Sequence, residues 1–328
     1  MRLEFVLWAA ALLAVSHFLV SRLLQPERQV RPAAGAAVCF SVLGLRVVLS
    51  ISIALFVLQY TSTGDHLAWL PAWCLHLAAP LPLLQSHLGF SEHALGDIAR
   101  LLPAIVLATA ALESIRRISE DNREVTRWID SSRLGLGPAG SVIVRDPGML
   151  LAVAGVRRPR VLVSPSTLVH LDDGELAAGL QHEFGHIERR HQAVSAAGAL
   201  LLGLSRPIPG GNGILARLRY FLERDADEFA VGRTADPSSL ARAICKLSTS
   251  GSRGQGFATA GLQGSGVPER LSHLVERRSF SPGLDVVLTF SALAIAALTV
   301  TLLAVGAELL LTGSITPPHV AMTSQICA

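Results

Sequence analysis

Three residues of the chain, His182, Glu183 and His186, form the sequence His-Glu-Phe-Gly-His, an HExxH motif. Residues four apart lie one turn above each other on a helix, so both imidazoles can bind one Zn²⁺ ion. Glu183 lies beside the first histidine and can reach a water molecule on that metal. Zinc lowers the pKa of such a water to about 7, and the resulting hydroxide can attack a carbonyl group. The motif therefore predicts zinc-dependent hydrolysis, with a solvated helix carrying two histidines as the alternative.

A third protein ligand is predicted downstream of the motif. Catalytic zinc sites hold three protein ligands and keep the fourth position for water. Glu223 and Asp227 share a helix face and begin 37 residues after His186. We expect Glu223 to bind the metal and Asp227 to fix the tautomer of a ligand imidazole by accepting its far N–H. The alternative is an acidic, solvated helix face. Asp225 and Glu228 do not complete this spacing.

The chain around the motif predicts a small sheet followed by helices. Asp172 and Glu175 form a capping-box pattern, in which each side chain satisfies a backbone donor at the start of a helix. This start predicts a helix over 173–190, which contains the motif. A later helix over about 215–233 carries the two downstream carboxylates. Three strand candidates separated by turn signals precede the motif and predict a small, mostly antiparallel sheet: 141–145, 150–154 and 160–164.

The composition indicates a membrane protein. Of the 328 residues, 50% are hydrophobic and 16% charged, whereas an ordinary soluble domain carries about 25% charge. This balance excludes a disordered chain and a nucleic-acid binder, and it argues against a wholly soluble enzyme. Four apolar stretches reach or approach the length that crosses a bilayer as a helix: 5–24, 36–60, 98–115 and 286–307. The shorter apolar stretch 193–204 predicts a core or interfacial helix.

Arginine placement predicts the orientation of these four spans. Arginines follow the first span and flank the long segment between the third and fourth, but the second loop and the C-terminal tail contain none. By the positive-inside rule, both termini then lie outside the cell membrane. We expect a membrane domain at 1–118, a cytosolic zinc metallopeptidase domain at 119–282, and a fourth span with a short outside tail at 283–328.

A few residues outside the motif carry weaker signals. Arg46 lies within the second span, where it either pairs with Glu113 or extends toward the cytosolic face. Cys74 and Cys327 fall on the predicted outer side, where a disulfide and two free thiols are both open. The four cysteines share no CxxC spacing, which argues against a thiolate zinc site: Cys39, Cys74, Cys245 and Cys327.

Residues 160–191, RVLVSPSTLVHLDDGELAAGLQHEFGHIERRH, resemble the strand–helix–HExxH block of integral-membrane gluzincin metallopeptidases. The ExxxD pair at Glu223 and Asp227 completes that signature. The BlaR/MecR-type family has three spans, a cytosolic zinc domain and a last span, which resembles the layout above. The HtpX-type family has a similar block, including a histidine like His191, but often inserts a hairpin after the motif. The 17 residues after Leu311 lack the penicillin-binding sensor domain of BlaR/MecR receptors, so β-lactam sensing is not implied.

The resemblance implies a fold and a role for each motif residue. The fold is a multi-pass α-helical membrane protein with an α+β zincin-like domain, mostly helical with a small antiparallel sheet. One Zn²⁺ per chain would be bound by His182, His186 and Glu223. Glu183 would be the general base and proton shuttle, and Asp227 would orient a ligand histidine.

The expected function is that of a membrane-bound zinc metalloendopeptidase acting on protein substrates. A BlaI-like repressor is one candidate partner besides the lipid bilayer, and nucleic acid is not bound directly. An HtpX-type quality-control protease and a non-catalytic zinc-containing signalling receptor are the alternatives. The strand 160–164 is a candidate for pairing with an extended substrate. Tyr220 and His191 are candidates for oxyanion stabilisation, with packing and solvated roles as the alternatives.

Overall fold

The computed structural model describes residues 11–15, 18, 20, 22, 24, 30–62, 92–206, 208–234, 236–249, 260–261, 266–276 and 282–312. Most of the first apolar stretch, and both Cys74 and Cys327, lie outside the described residues. The described chain is mostly helical and contains one small sheet. The helices are α1 (Pro32–Ser62), α2 (Glu92–Ser132), α3 (Pro165–His170), α4 (Asp173–Glu188), α5 (His191–Leu204), α6 (Gly211–Thr234), α7 (Pro237–Ser248), α8 (Val267–Glu276) and α9 (Pro282–Thr312).

The sheet is mixed. Its strands are β1 (Arg133–Leu136), β2 (Val142–Val144), β3 (Leu151–Ala154), β4 (Arg160–Val163) and β5 (Ala260–Gly261), in the spatial order β1-β2-β4-β3-β5. The described pairings are antiparallel except for β2 with β4. The expectation of an antiparallel sheet is therefore wrong at this one pairing. Because the β3–β4 hairpin returns β4 to the side of β2, Leu162 pairs with Val142 in parallel.

The helix that contains the motif begins where the sequence predicts. Asp172 Oδ1 accepts a hydrogen bond from the backbone N–H of Glu175 at 2.8 Å, and Glu175 Oε2 accepts one from the backbone N–H of Asp172 at 3.1 Å. The capping box is thus complete. The helix ends at Glu188, two residues earlier than expected, because Arg190 has a left-handed φ of 55°. The chain turns there into α5.

Helix α4 packs on the sheet and on α7. Leu180 is buried in this core, whereas Leu176, Phe184 and Ile187 are partly buried against it. The strands contribute a buried side of small and branched residues: Leu151, Val153, Val161 and Val163. The apolar repeat of α4 therefore holds the motif helix on the sheet, and the opposite face of the helix is left for the histidines.

Helix α1 packs against both α6 and α9 in a second core. Leu218 and Phe221 of α6 are buried in one cluster with Val38 of α1 and Leu288 of α9. The approach is closest at Gly35, where an added Cβ would lie 2.5 Å from the Phe221 ring. A glycine is therefore required for α1 to approach α6 this closely. The helix that carries Glu223 and Asp227 is fixed in this way to the second apolar stretch.

Two described segments, Pro32–Ala54 and Pro282–Leu302, are long and apolar enough to cross a membrane. A buried core helix can have the same length and composition. The third apolar stretch forms one continuous helix, α2, with the amphipathic segment that follows it. Large apolar side chains remain exposed on α2 and α9: Ile105, Val106, Leu112, Ile115, Val286, Val287, Phe290, Leu293 and Val300.

Arg46 binds backbone carbonyl groups and not Glu113. Its side chain is buried in α1, and Nη2 donates to the backbone carbonyls of Ile208 and Pro209, at 2.6 Å each. Glu113 pairs instead with Arg117 at 2.7 Å. The expected pairing of Arg46 with Glu113 is therefore wrong, because the loop between α5 and α6 places two carbonyl oxygens beside α1. Extension of Arg46 toward the cytosolic face stays a prediction.

Candidate metal centre

The two histidines of the motif lie side by side on α4. His182 and His186 are both fully buried, with their Nε2 atoms 3.1 Å apart. The helical spacing of four residues accounts for this arrangement, since it stacks both rings on one face.

Glu223 reaches the same point from α6. Its carboxylate oxygens lie 3.5 Å from His182 Nε2 and 3.6 Å from His186 Nε2. The ligand atoms of a tetrahedral zinc site with bonds of about 2.0–2.1 Å are about 3.3 Å apart. The structure therefore brings the three predicted ligands together with a spacing that fits one such ion, and the cluster has the composition of a metal site.

Asp227 lies behind His182, one turn after Glu223 on α6. Its Oδ1 is 3.0 Å from His182 Nδ1. A proton on Nδ1 leaves the Nε2 lone pair of His182 directed at the shared point between the ligands. This arrangement is the one expected from the ExxxD spacing.

The second ligand histidine, His186, has an equivalent partner in His191, which is in turn held by Asp225. His191 Nδ1 lies 3.0 Å from His186 Nδ1, and His191 Nε2 lies 3.0 Å from Asp225 Oδ2. Asp225 also accepts a hydrogen bond from Arg189. With His186 donating from Nδ1, a neutral His191 accepts on Nδ1 and donates from Nε2 to Asp225. The sequence predicts neither contact: it suggests an oxyanion or a solvated role for His191, and Asp225 falls outside the ligand spacing.

Glu183 is fully buried, next to His182. The sequence reasoning also missed a charged partner of this site, Arg270 of α8, which is 1% exposed. Arg270 donates from Nε and Nη2 to the two oxygens of Asp227, at 2.8 and 2.7 Å, and from Nη1 to Glu223 Oε2 at 2.8 Å. In the sequence, this arginine is evidence only for the orientation of the fourth membrane span. No local spacing links it to carboxylates 43 and 47 residues earlier.

The buried charges of the site match a divalent cation. With neutral imidazoles, the carboxylates of Glu183, Glu223 and Asp227 and the guanidinium of Arg270 sum to a charge of −2. Buried charge is costly unless it is compensated, and one divalent ion neutralises this cluster. The donor set of two imidazoles and one carboxylate is that of catalytic zinc sites. These residues therefore fit the metal that the motif predicts.

Burial and charge act in opposite directions on the two ligand histidines. Burial disfavours the charged form of His182, but Asp227 and Glu223 outweigh it and raise its pKa to about 9. Burial lowers the pKa of His186 to about 3. Asp227 is also buried, yet Arg270 holds the pKa of its carboxyl below the usual range. A proton on His182 Nε2 is then directed at His186 Nε2, and a metal ion would replace that proton.

The strand 160–164 cannot accept a substrate strand. In the sheet, β4 is paired with β2 on one side and with β3 on the other. Both of its edges are therefore occupied, and the expectation of strand addition at this position is wrong. The outer edge of β3 is itself paired with β5.

Tyr220 lies on α6, one turn before Glu223, and is 6% exposed. Its ring contacts that of Phe221, with centroids 5.5 Å apart, and packs where an added Cβ at Gly266 would lie 2.6 Å away. These contacts favour the packing interpretation, and oxyanion stabilisation by Tyr220 stays a prediction.

Comparison with known proteins points to the same chemistry. No curated protein and no solved structure shows significant similarity to the chain. Residues 116–219 match the family model of Peptidase family M48, whose members are typically metal-dependent peptidases. The match contains the motif and ends four residues before Glu223, and it does not distinguish the BlaR/MecR-type from the HtpX-type interpretation. Residues 116–219 are thus similar to a metallopeptidase domain of family M48.

Proposed function

We propose that the protein is a membrane-bound zinc metalloendopeptidase that hydrolyses peptide bonds of protein substrates. The observation that carries this proposal is the convergence of His182, His186 and Glu223, whose ligand atoms lie within 4.8 Å of one another. The similarity of residues 116–219 to family M48 supports the same reaction class.

In this mechanism each residue has a defined task. His182, His186 and Glu223 would hold the zinc ion, which supplies the Lewis acidity that lowers the pKa of a bound water to about 7. Glu183 would take a proton from the attacking water and pass it to the amine nitrogen of the leaving peptide. Asp227 would keep the proton of His182 on Nδ1, so that Nε2 stays available as a ligand.

The intact base favours catalysis over a purely structural zinc site. A structural site needs ligands but no general base, and its zinc is commonly bound by four protein residues. Here Glu183 is buried beside a three-ligand set. A non-catalytic signalling receptor is therefore the weaker alternative.

We further propose the domain organisation given above, with spans in 1–118 and 283–328 around a cytosolic domain at 119–282. Exposed apolar side chains on α9, such as Phe290 at 68% and Leu293 at 61%, support contact with lipid. The arginine distribution supports both termini outside. Regulatory cleavage of a repressor-like protein and HtpX-type quality control remain the two candidate roles of the peptidase.

Metal analysis and proteolysis of the purified full chain test this function. The Glu183→Gln variant should bind zinc like the wild type and lose peptide hydrolysis by at least about a hundredfold, since it lacks the base. The matched control is Glu188→Gln, an exposed glutamate of the same helix, which should cleave normally. Undiminished cleavage by Glu183→Gln, or retention of zinc by Glu223→Ala, would show that the proposed mechanism is wrong.

A further inference from the structure

Among the described residues, helix α8 supplies the one buried cation that donates hydrogen bonds to both Glu223 and Asp227. It is a ten-residue helix that follows the chain segment 250–265. Arg270 points from it into the protein and makes its hydrogen bonds to Asp227 and Glu223 in a fully buried position. The metal ligands themselves belong to α4 and α6.

We propose that Arg270 is a positioning residue of the metal site, and that the protein holds its metal tightly only when α8 is docked on α6. This inference rests on the proposed function. It adds a condition to it, because an element from a later part of the chain completes the geometry of the ligands.

The first contact sets the orientation of the ligand carboxylate. Arg270 Nη1 holds Glu223 Oε2 at 2.8 Å, while Oε1 faces His186 Nε2 at 3.6 Å. A carboxylate held by one oxygen cannot rotate freely about its terminal bond. Arg270 therefore holds the carboxylate in the orientation in which Oε2 lies 3.5 Å from His182 Nε2 and Oε1 lies 3.6 Å from His186 Nε2.

The second contact sets the orientation of a histidine. The planar guanidinium binds both oxygens of Asp227, a fork that fixes a carboxylate in its plane. Oδ1 of the same carboxylate lies 3.0 Å from His182 Nδ1. Arg270 thus acts on two of the three ligands, Glu223 directly and His182 through Asp227. The third ligand is oriented by His191, which does not depend on α8.

Further contacts attach α8 to the same face of α6. Arg224 Nη2 lies 2.8 Å from His273 Nε2. Gly266, immediately before α8, has a φ of 75° and lies against the ring of Tyr220. Gly266, Arg270 and His273 therefore contact about two turns of α6, from Tyr220 to Asp227, so docking of α8 and ordering of the carboxylates occur together.

Charge and geometry predict opposite results for the loss of Arg270. As a positive charge beside a cation site, Arg270 repels the metal, so its removal alone would tighten binding. As a positioning residue, it holds the ligands in place, and partners of this kind are worth about 10–100-fold in metal affinity. The proposal therefore predicts weaker binding in Arg270→Met, in spite of the removed positive charge.

The test measures Zn²⁺ affinity of the full purified chain by competition with a chromophoric chelator. Arg270→Lys keeps the charge but loses the fork, and Arg270→Met loses both; each should weaken binding by at least about tenfold. The Co²⁺ absorption spectrum of Arg270→Lys should also change, because the ligand geometry changes. Arg219→Lys and Arg219→Met, at an exposed arginine of α6, are the matched controls. Thermal melting establishes that each variant is folded, and Arg270→Lys decides the test if Arg270→Met does not fold.

Wild-type affinity in Arg270→Lys, or tighter binding in folded Arg270→Met, would overturn the proposal. The coupling is reciprocal, so Zn²⁺ should slow hydrogen exchange of the amides in 267–276 of the wild type, and unchanged exchange would contradict it. The proposed function fails separately, if the wild type binds no zinc or if Glu223→Ala leaves zinc binding intact.

Discussion

Replacing His191 by phenylalanine removes both ring nitrogens while it keeps an aromatic ring of similar shape. In the wild type, His186 Nδ1 has His191 Nδ1 as its partner at 3.0 Å. The substitution leaves this fully buried Nδ1 without an acceptor. A cavity of about 630 Å³ borders His191, so the slightly larger ring can be accommodated. The variant therefore tests the hydrogen bond with little steric disturbance.

The magnitude follows from the cost of a buried, unsatisfied donor, about 1–3 kcal/mol. With the metal bound, His186 must use Nε2 as a ligand and keep its proton on Nδ1, so the cost falls on the metal-bound state. Without the metal, His182 can release its Nε2 proton, and His186 can then carry its own proton on Nε2, donate it to His182 Nε2 and avoid much of this cost. Since about 1.4 kcal/mol corresponds to a factor of ten, His191→Phe should weaken Zn²⁺ binding by about 5–150-fold.

The assay is competition for Zn²⁺ with a chromophoric chelator, using the purified full chain at pH 7.5. His170→Phe is the matched control, because His170 is an exposed histidine at the end of α3. Equal affinities of wild type and His191→Phe would refute the assignment of His191 as the partner that fixes the tautomer of His186.

Further predictions concern stability, measured by thermal melting in detergent. Burial raises the pKa of Glu228 to about 7, so the folded state binds this proton more tightly than the unfolded state, and stability falls as the pH rises from about 4.5 toward 7. Glu228→Gln should therefore raise Tm at pH 8 but not at pH 4, and an equal change at both would contradict the assignment. Glu175 is buried, with Oε2 at 2.6 Å from Lys246 Nζ. Burial disfavours the charged carboxylate, but this lysine outweighs the effect of burial and lowers the pKa of the carboxyl. Glu175→Gln should therefore lower the free energy of unfolding by about 1–2 kcal/mol at pH 7. The difference from the wild type should disappear at acid pH, where the wild-type carboxyl is itself protonated. Gly35→Ala should destabilise by about 1–3 kcal/mol through overlap with Phe221, and a second change, Phe221→Leu, should recover part of this loss.

Local patterns predicted much of the site. The four-residue spacings of HExxH and ExxxD act within single helices, so they indicated which side chains share a face. The convergence of His182 with Glu223 also requires two helices to pack. It was predicted because a catalytic zinc needs a third protein ligand, and the resemblance to known metallopeptidases agreed with it. The capping box at Asp172 was visible for the same local reason.

Contacts between distant parts of the chain could not be predicted in this way. Arg270 reaches Asp227 across 43 residues, and in the sequence it looks like any arginine before an apolar span. Arg46 donates to two backbone carbonyl groups, and every residue carries such a group, so the residue types do not indicate which ones it contacts. The parallel pairing of β2 with β4 depends on the side to which a hairpin turns, and turn residues do not specify that side.

The contact of Arg46 with Ile208 and Pro209 lies just before the start of α6, and it joins that end of the helix to α1. Glu223 is twelve residues from Gly211, or about 18 Å along the helix axis at 1.5 Å per residue. If α6 pivoted at the Arg46 contact, a rotation of about one degree would displace Glu223 by about 0.3 Å. Metal–ligand distances tolerate about 0.2 Å. A movement of α1 that rotates α6 by this small angle about the Arg46 contact is therefore enough to change the distances between Glu223 and the two ligand histidines.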